Sequence, residues 1–191
     1  EKKIVFKDVL HSGNFMLSDY LKKFSNLRRI GYCGNNGNYI EELNGKKISK
    51  FNEIDIIGKG GLYVSGLKKG IVVSCGTGTC IVDASQDGFH HVSGSSIGGG
   101  TITGLAWMMA GLNINEIKSY SKKGDISKTD FLLRDINQRR LGFLRSGSSV
   151  SHFGKLNSKM RKQDIALGII NMVGQNIANI AALSAKACKK K

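Results

Sequence analysis

Short β-branched runs alternate with stretches of helical periodicity along most of this chain. Residues 2–10 predict a strand, and Leu17, Tyr20, Leu21, Phe24 and Leu27 recur at the spacing of one helix face, with Asn14 or Ser18 as the cap. A second strand is expected at 29–33, ending in a Gly/Asn-rich turn at 34–38, with a helix at 39–43. Residues 48–57 alternate apolar and polar positions and predict a strand carrying two acids, Glu53 and Asp55. Two β-branched runs, 70–75 and 80–84, flank Gly76-Thr77-Gly78-Thr79 and predict a hairpin.

Beyond residue 101 the period becomes helical. Helices are expected at 102–110, stopped by Gly111, at 115–122, broken by Gly124-Asp125, and at 129–137. Loops are expected at 146–149 and 153–154. A long helix over 164–187 follows, with an apolar stripe of Ile165, Ile169, Met172, Val173, Ile177, Ile180 and Leu183 that serves a core or a dimer interface. The strand–turn–helix rhythm marks an α/β protein.

Composition narrows the class. With 191 residues, 40% hydrophobic and 23% charged, the chain can bury a core as one domain or two small ones. Cys33, Cys75, Cys80 and Cys188 form no C-x-x-C pair and read as buried thiols of a reducing compartment. The apolar run after Glu1-Lys2-Lys3 is too short for a secretion signal. The apolar segment 165–185 is interrupted by Asn171, Gln175, Asn176 and Asn179, so no membrane span is expected and the cytoplasm is the expected location. The net charge of +15 favours anionic ligands. Its lysines are scattered, without a basic aromatic strand, which disfavours nucleic acid.

Candidate chemistry concentrates in Ser93–Thr101, where four glycines and four hydroxyl residues precede the apolar run 102–112. A glycine loop entering a helix offers backbone N–H groups and the positive dipole end to a phosphate. It is neither a P-loop nor a clean G-x-G-x-x-G. A second glycine–threonine turn, Gly76–Thr79, lies some twenty residues upstream, and the pair points to one phosphoryl-binding cleft. Glu53 and Asp55 read either as solvated edge charges or as a half-buried general base. His11, His90, His91 and His152 lack metal-ligand spacing, so no protein metal site is expected.

Phe51-Asn52-Glu53-Ile54-Asp55, Gly76–Thr79, Ser93–Thr101, Gly124-Asp125 and Ser151-His152-Phe153-Gly154 together resemble, in order, the motif series of the type II, eukaryotic-type pantothenate kinases of the actin-like acetate and sugar kinase superfamily. The resemblance implies an actin-like (ribonuclease H-like) α/β fold. Residues 1–68 would be part of the N-terminal subdomain and 69–191 part of the C-terminal one. It implies transfer of the ATP γ-phosphate, with Mg²⁺, to the 4′-hydroxyl of pantothenate, in a homodimer that acetyl-coenzyme A can inhibit. On that resemblance Glu53 is the catalytic base, Thr77, Thr79 and His91 meet the substrate, and Gly76, Gly78, Ser96, Gly98, Gly99, Gly100 and Thr101 face the nucleotide.

Two departures accompany it. His91 stands where the family has an arginine, and imidazole can neither form the bidentate fork nor hold a permanent charge. The fold is also expected to be incomplete at both ends. The chain starts after the family's Asp-x-Gly-Gly-Thr phosphate loop and stops before its last strands. A non-catalytic relative binding nucleotide or acyl-coenzyme A therefore stays open beside the kinase. So does another member of the superfamily, such as a sugar kinase.

Overall fold

The first strand foreseen that falls within the described residues, β1 (Arg29–Tyr32), pairs in parallel with β3 (Lys46–Lys50). The computed structural model describes residues 22, 29–34, 42–43, 46–136, 140–142 and 144–189, in two compact units, Glu1–Ile56 and Ile57–Lys191. The strand expected at 2–10 lies outside the described residues, as does the helix at 17–27 except Lys22, which is helical. In the first unit β2 (Glu42–Leu43) runs antiparallel to β3, giving the order β1-β3-β2. The helix expected at 39–43 is thus corrected at Glu42–Leu43. Asn44-Gly45, a tight-hairpin signal between two strands, had announced the outcome.

The strand expected over 48–57 ends at Lys50. Helix α1 (Glu53–Ser65) begins instead, because Asn52 caps it. Its side chain accepts the Ile54 N–H at 2.8 Å and its carbonyl the Ile56 N–H at 3.1 Å. Glu53 and Asp55 then occupy the first turn, where carboxylates suit the positive end of the helix dipole. Both are exposed rather than half-buried. The face that packs is marked by Gly58 and Gly61. A Cβ there would come within 2.3 Å of the Phe89 ring and 2.5 Å of Val72.

The second unit is built on an antiparallel sheet of β4 (Gly70–Cys75), β5 (Thr79–Ser85) and β6 (Gly88–Ser95), in that order. The expected hairpin is present, and β6 adds a strand whose last residues were expected to be loop. Pairing shifts between Ile81, opposite Ser93, and Val82, opposite His91, leaving Val92 as a bulge. Val72 and Phe89 face α1, whereas Ile71, Asp83 and Ser85 share a cleft of about 630 Å³ with Ala185 and Cys188 of the last helix.

Helix α2 (Gly99–Ala110) starts three residues before the expected position. It ends at Gly111, whose left-handed backbone (φ 62°) lets its N–H reach the Trp107 carbonyl at 3.0 Å. Helix α3 (Ile114–Ser121) carries a reciprocal cap. Asn113 Oδ1 accepts the N–H groups of Asn115 and Glu116, and Glu116 Oε2 accepts that of Asn113. Asn113→Ala is expected to cost about 1 kcal/mol, read as a lower urea midpoint at unchanged slope.

The helix expected at 129–137 is replaced by α4 (Ile126–Thr129), strand β7 (Phe131–Leu132) and a 3₁₀ turn at Leu133–Ile136. Strand β7 pairs with β10 (Ser149–Ser151), part of which was expected to be loop. Asp130 between α4 and β7 is extended (φ −104°, ψ 146°), and its buried carboxylate takes tertiary hydrogen bonds that helix geometry would forfeit. Two further short strands, β8 (Arg140–Leu141) and β9 (Leu144–Arg145), pair with each other.

Helix α5 (Lys162–Lys189) matches the expected long helix. Its Ile165, Ala166 and Ile169 join Ala106, Ala110, Leu112 and Ile117 in the core, with Phe153 packed on them. By length and hydropathy α5 could cross a bilayer; Ile165, Ala166, Ile169 and Val173 of its first half are buried within its own unit, whereas Leu183 near its end is 65% exposed. No disulfide links the cysteines. Cys33 and Cys75 are exposed, correcting the expectation of buried thiols, because each stands at a strand end beside a glycine turn.

Candidate functional site

Two glycine turns meet in the second unit, as the sequence led one to expect. The Gly76–Thr79 turn closes β4 onto β5, with the Gly76 N–H on the Gly78 carbonyl at 2.9 Å. The start of α2 lands on this turn. The Gly99 N–H donates to the Gly76 carbonyl at 2.7 Å and the Gly100 N–H to the Thr77 carbonyl at 3.0 Å. Thr79 Oγ1 donates to the Ile97 carbonyl at 2.7 Å.

Such backbone-on-backbone contact explains the glycines. A Cβ on Gly98 would stand 2.6 Å from the Gly78 carbonyl, one on Gly99 2.8 Å from Gly76 O, and one on Gly78 2.8 Å from Ser95 O. Backbone atoms cannot swing aside as side chains do, so these positions exclude side chains.

The same packing revises the picture of an open amide cradle. The N–H groups of Gly99 and Gly100 are occupied by carbonyls of the facing turn. Those of Ile97 and Gly98 donate to Ser95 Oγ at 3.0 Å and Thr101 Oγ1 at 3.2 Å. What the two turns present to solvent is a lip of Gly76, Thr77, Ser96 and Gly100. Thr101 is half-buried and also reaches the Ser96 carbonyl, holding the loop from the helix side.

His91 is exposed on β6. The Val92 bulge reverses the alternation, so a Cβ on Gly94 would lie 3.5 Å from His91 Nε2 and 2.8 Å from the Thr79 carbonyl. The imidazole therefore flanks the strand end that carries the lip. Glu53 stands in the first turn of α1, in the other compact unit.

One buried constellation escaped the sequence reading. The Asp130 carboxylate accepts hydrogen bonds from Ser149 Oγ at 2.6 Å and from Thr129 Oγ1, the Phe153 N–H and Asn171 Nδ2, each at 3.1 Å. His152 Nδ1 lies at 3.1 Å, and Asn171 also reaches Ser149. Burial pushes the carboxyl upward, but the bonds from Ser149, Phe153, His152 and Thr129 outweigh it and hold it below the ordinary value. They also hold Phe153 at φ 56°, in the left-handed region, with its ring against Gly168 of α5, where a Cβ would clash at 2.8 Å. Asp130 thus fixes the Ser151–Gly154 motif. An acid just before Phe131-Leu132-Leu133 was the available signal, but burial is not legible in a spacing.

A family model described as Fumble matches residues 70–191, which hold both glycine turns, His91 and the Asp130 network. The chain belongs to the Fumble family. Relatives of this Fumble-family chain carry the expected names. A "Pantothenate kinase 2" of Arabidopsis thaliana is 33% identical over 127 residues, covering 60% of the chain and 14% of that protein. A "Type II pantothenate kinase" of Bacillus cereus is 24% identical over 192 residues, 95% of the chain and 70% of that protein. A "Pantothenate kinase" of Schizosaccharomyces pombe is 31% identical over 128 residues, 61% of the chain and 32% of that protein. The resemblance read from the motifs is therefore borne out at the level of family. The chain spans 14% of the length of the Arabidopsis relative and 32% of the yeast one.

Proposed function

We propose that this chain supplies the phosphate-facing lip and the catalytic base of an ATP-dependent pantothenate kinase with an actin-like fold. Residues 1–68 and 69–191 would then belong to its N- and C-terminal subdomains. The observation that carries the proposal is the interlock of Gly76–Thr79 with Ile97–Thr101 inside the region matched by the Fumble model. A rigid, glycine-rich lip lets a polyphosphate approach the backbone closely, and phosphoryl transfer depends chiefly on such positioning.

ATP would supply the phosphoryl group. Ser96, on the exposed lip, would hold its phosphate oxygens through its hydroxyl, with Gly76 and Gly100 leaving room, and Thr77 beside it would meet the pantothenate. Glu53 would accept the proton of the 4′-hydroxyl as that oxygen attacks. His91, beside the lip, would donate a hydrogen bond where the family's arginine brings a fixed charge. Among the described residues no cluster of three His, Cys, Asp or Glu could hold a metal ion, and the Mg²⁺ that the resemblance implies would be held chiefly by the ATP phosphates. No step is routed through it. A homodimer in the cytoplasm, inhibited by acetyl-coenzyme A, completes the proposal.

The test is phosphate transfer from labelled ATP to pantothenate by the whole gene product that carries this chain. Glu53→Gln is expected to lower kcat by about 10²–10⁴-fold while leaving the affinity for ATP within a factor of two or so. Normal turnover by that variant would remove Glu53 from the mechanism. Absence of transfer by the unaltered protein, at saturating ATP and pantothenate, would remove the kinase reading.

A further inference from the structure

We propose that Thr79 is a positioning residue, setting the shape of the lip from behind rather than touching substrate or nucleotide. The inference rests on the kinase reading for what the lip binds, but its geometry stands on the hydrogen bonds alone. Only three residues, Ser96-Ile97-Gly98, link the end of β6 to the start of α2. The middle one is pinned at both backbone groups. Its N–H donates to Ser95 Oγ at 3.0 Å and its carbonyl accepts the Thr79 hydroxyl at 2.7 Å.

Thr79 is the first residue of β5 and only 8% exposed. Its remaining polar neighbour is Cys75 Sγ at 3.9 Å, directly across the hairpin. A hydroxyl so enclosed, with its proton on a carbonyl, has no open direction toward a ligand. It can fix where Ile97 lies, and with Ile97 the exposed Ser96 on one side and the Gly99 and Gly100 amides on the other. β-Branching limits χ1 of Thr79, so the hydroxyl is held on that carbonyl at little entropic cost.

Valine keeps the shape and removes the hydroxyl, while serine keeps the hydroxyl and loses a methyl. In Thr79→Val the Gly99 and Gly100 amides, bonded across to Gly76 and Thr77, are expected to exchange with deuterium about tenfold faster, and ATP affinity by calorimetry to fall about tenfold. The amides of Ile165–Val173 in α5 should be unchanged. Thr79→Ser should restore both readouts to within a factor of about three. Wild-type exchange and affinity in Thr79→Val would overturn the proposal. So would a Thr79→Ser variant that recovers slow exchange but not affinity, because the missing methyl would then be a ligand contact. If the unaltered whole gene product bound no ATP, the kinase reading would fall, and the exchange rates would still decide whether Thr79 holds the loop.

Discussion

Asp130→Ala is expected to lower the unfolding free energy by about 3–5 kcal/mol, a large share of what a domain of this size has to lose. The loss comes from what is left behind. Ser149, Asn171, Thr129 and the Phe153 N–H would each lose their bond to a carboxylate that is itself fully buried. Phe153 would be released from its left-handed backbone, and the β7–β10 pairing would loosen with it.

Acid should act through the same group. Because the folded carboxyl lies below its ordinary value of 3.8, Asp130 contributes stability that is complete above that value and is lost as pH falls through the folded value. Asp164, lowered first by its hydrogen bonds from Arg161 against the cost of burial, adds to the same slope. Urea unfolding at a series of pH values should therefore show stability declining below about pH 4. In Asp130→Asn the decline should be shallower. A slope identical to wild type would show that the network does not depend on the charge.

Gly98→Ala is expected to cost about 2–4 kcal/mol. The backbone at Gly98 is extended (φ −171°), which any residue adopts, so the cost is not conformational. It arises because the added Cβ would lie 2.6 Å from the Gly78 carbonyl. Relief requires moving the start of α2 away from the turn, which lengthens the bonds from Gly99 to Gly76, from Gly100 to Thr77 and from Thr79 to Ile97 together. Gly104→Ala offers the contrast. It lies inside the same helix with nothing within 4 Å of its Cβ, and is expected to stabilise by about 0.5–1 kcal/mol through helix propensity. Thermal or urea unfolding of the two variants would compare a steric requirement with a bare propensity. Equal effects would mean that the turns are not interlocked.

Local signals carried much of the architecture. The β4–β5 hairpin, the Gly111 stop and α5 were legible because each rests on short-range chemistry: β-branched runs around a glycine turn, a left-handed glycine, and a sustained apolar stripe. The alternation of 48–57 misled because the Asn52 cap and the glycines at 58 and 61 carry more weight than the isoleucines. The helix expected at 129–137 failed for a different reason. Helical spacing of Phe131, Leu132 and Ile136 was outweighed by a carboxylate whose partners, Ser149, Phe153 and Asn171, lie 19 to 41 residues away.

By itself the sequence determined the α/β character, the family and the positions of two glycine–threonine turns, since these depend on residue types and their order. Only the tertiary structure decided what the turns do with their backbone. The sequence counted glycines and implied free amides. Folding places the turns against one another, so Gly76 and Thr77 carbonyls take up the Gly99 and Gly100 amides and Thr77 and Ser96 remain exposed. A hydrogen-bond donor has no assigned partner until two distant segments meet, and here that meeting decides which groups remain for a ligand.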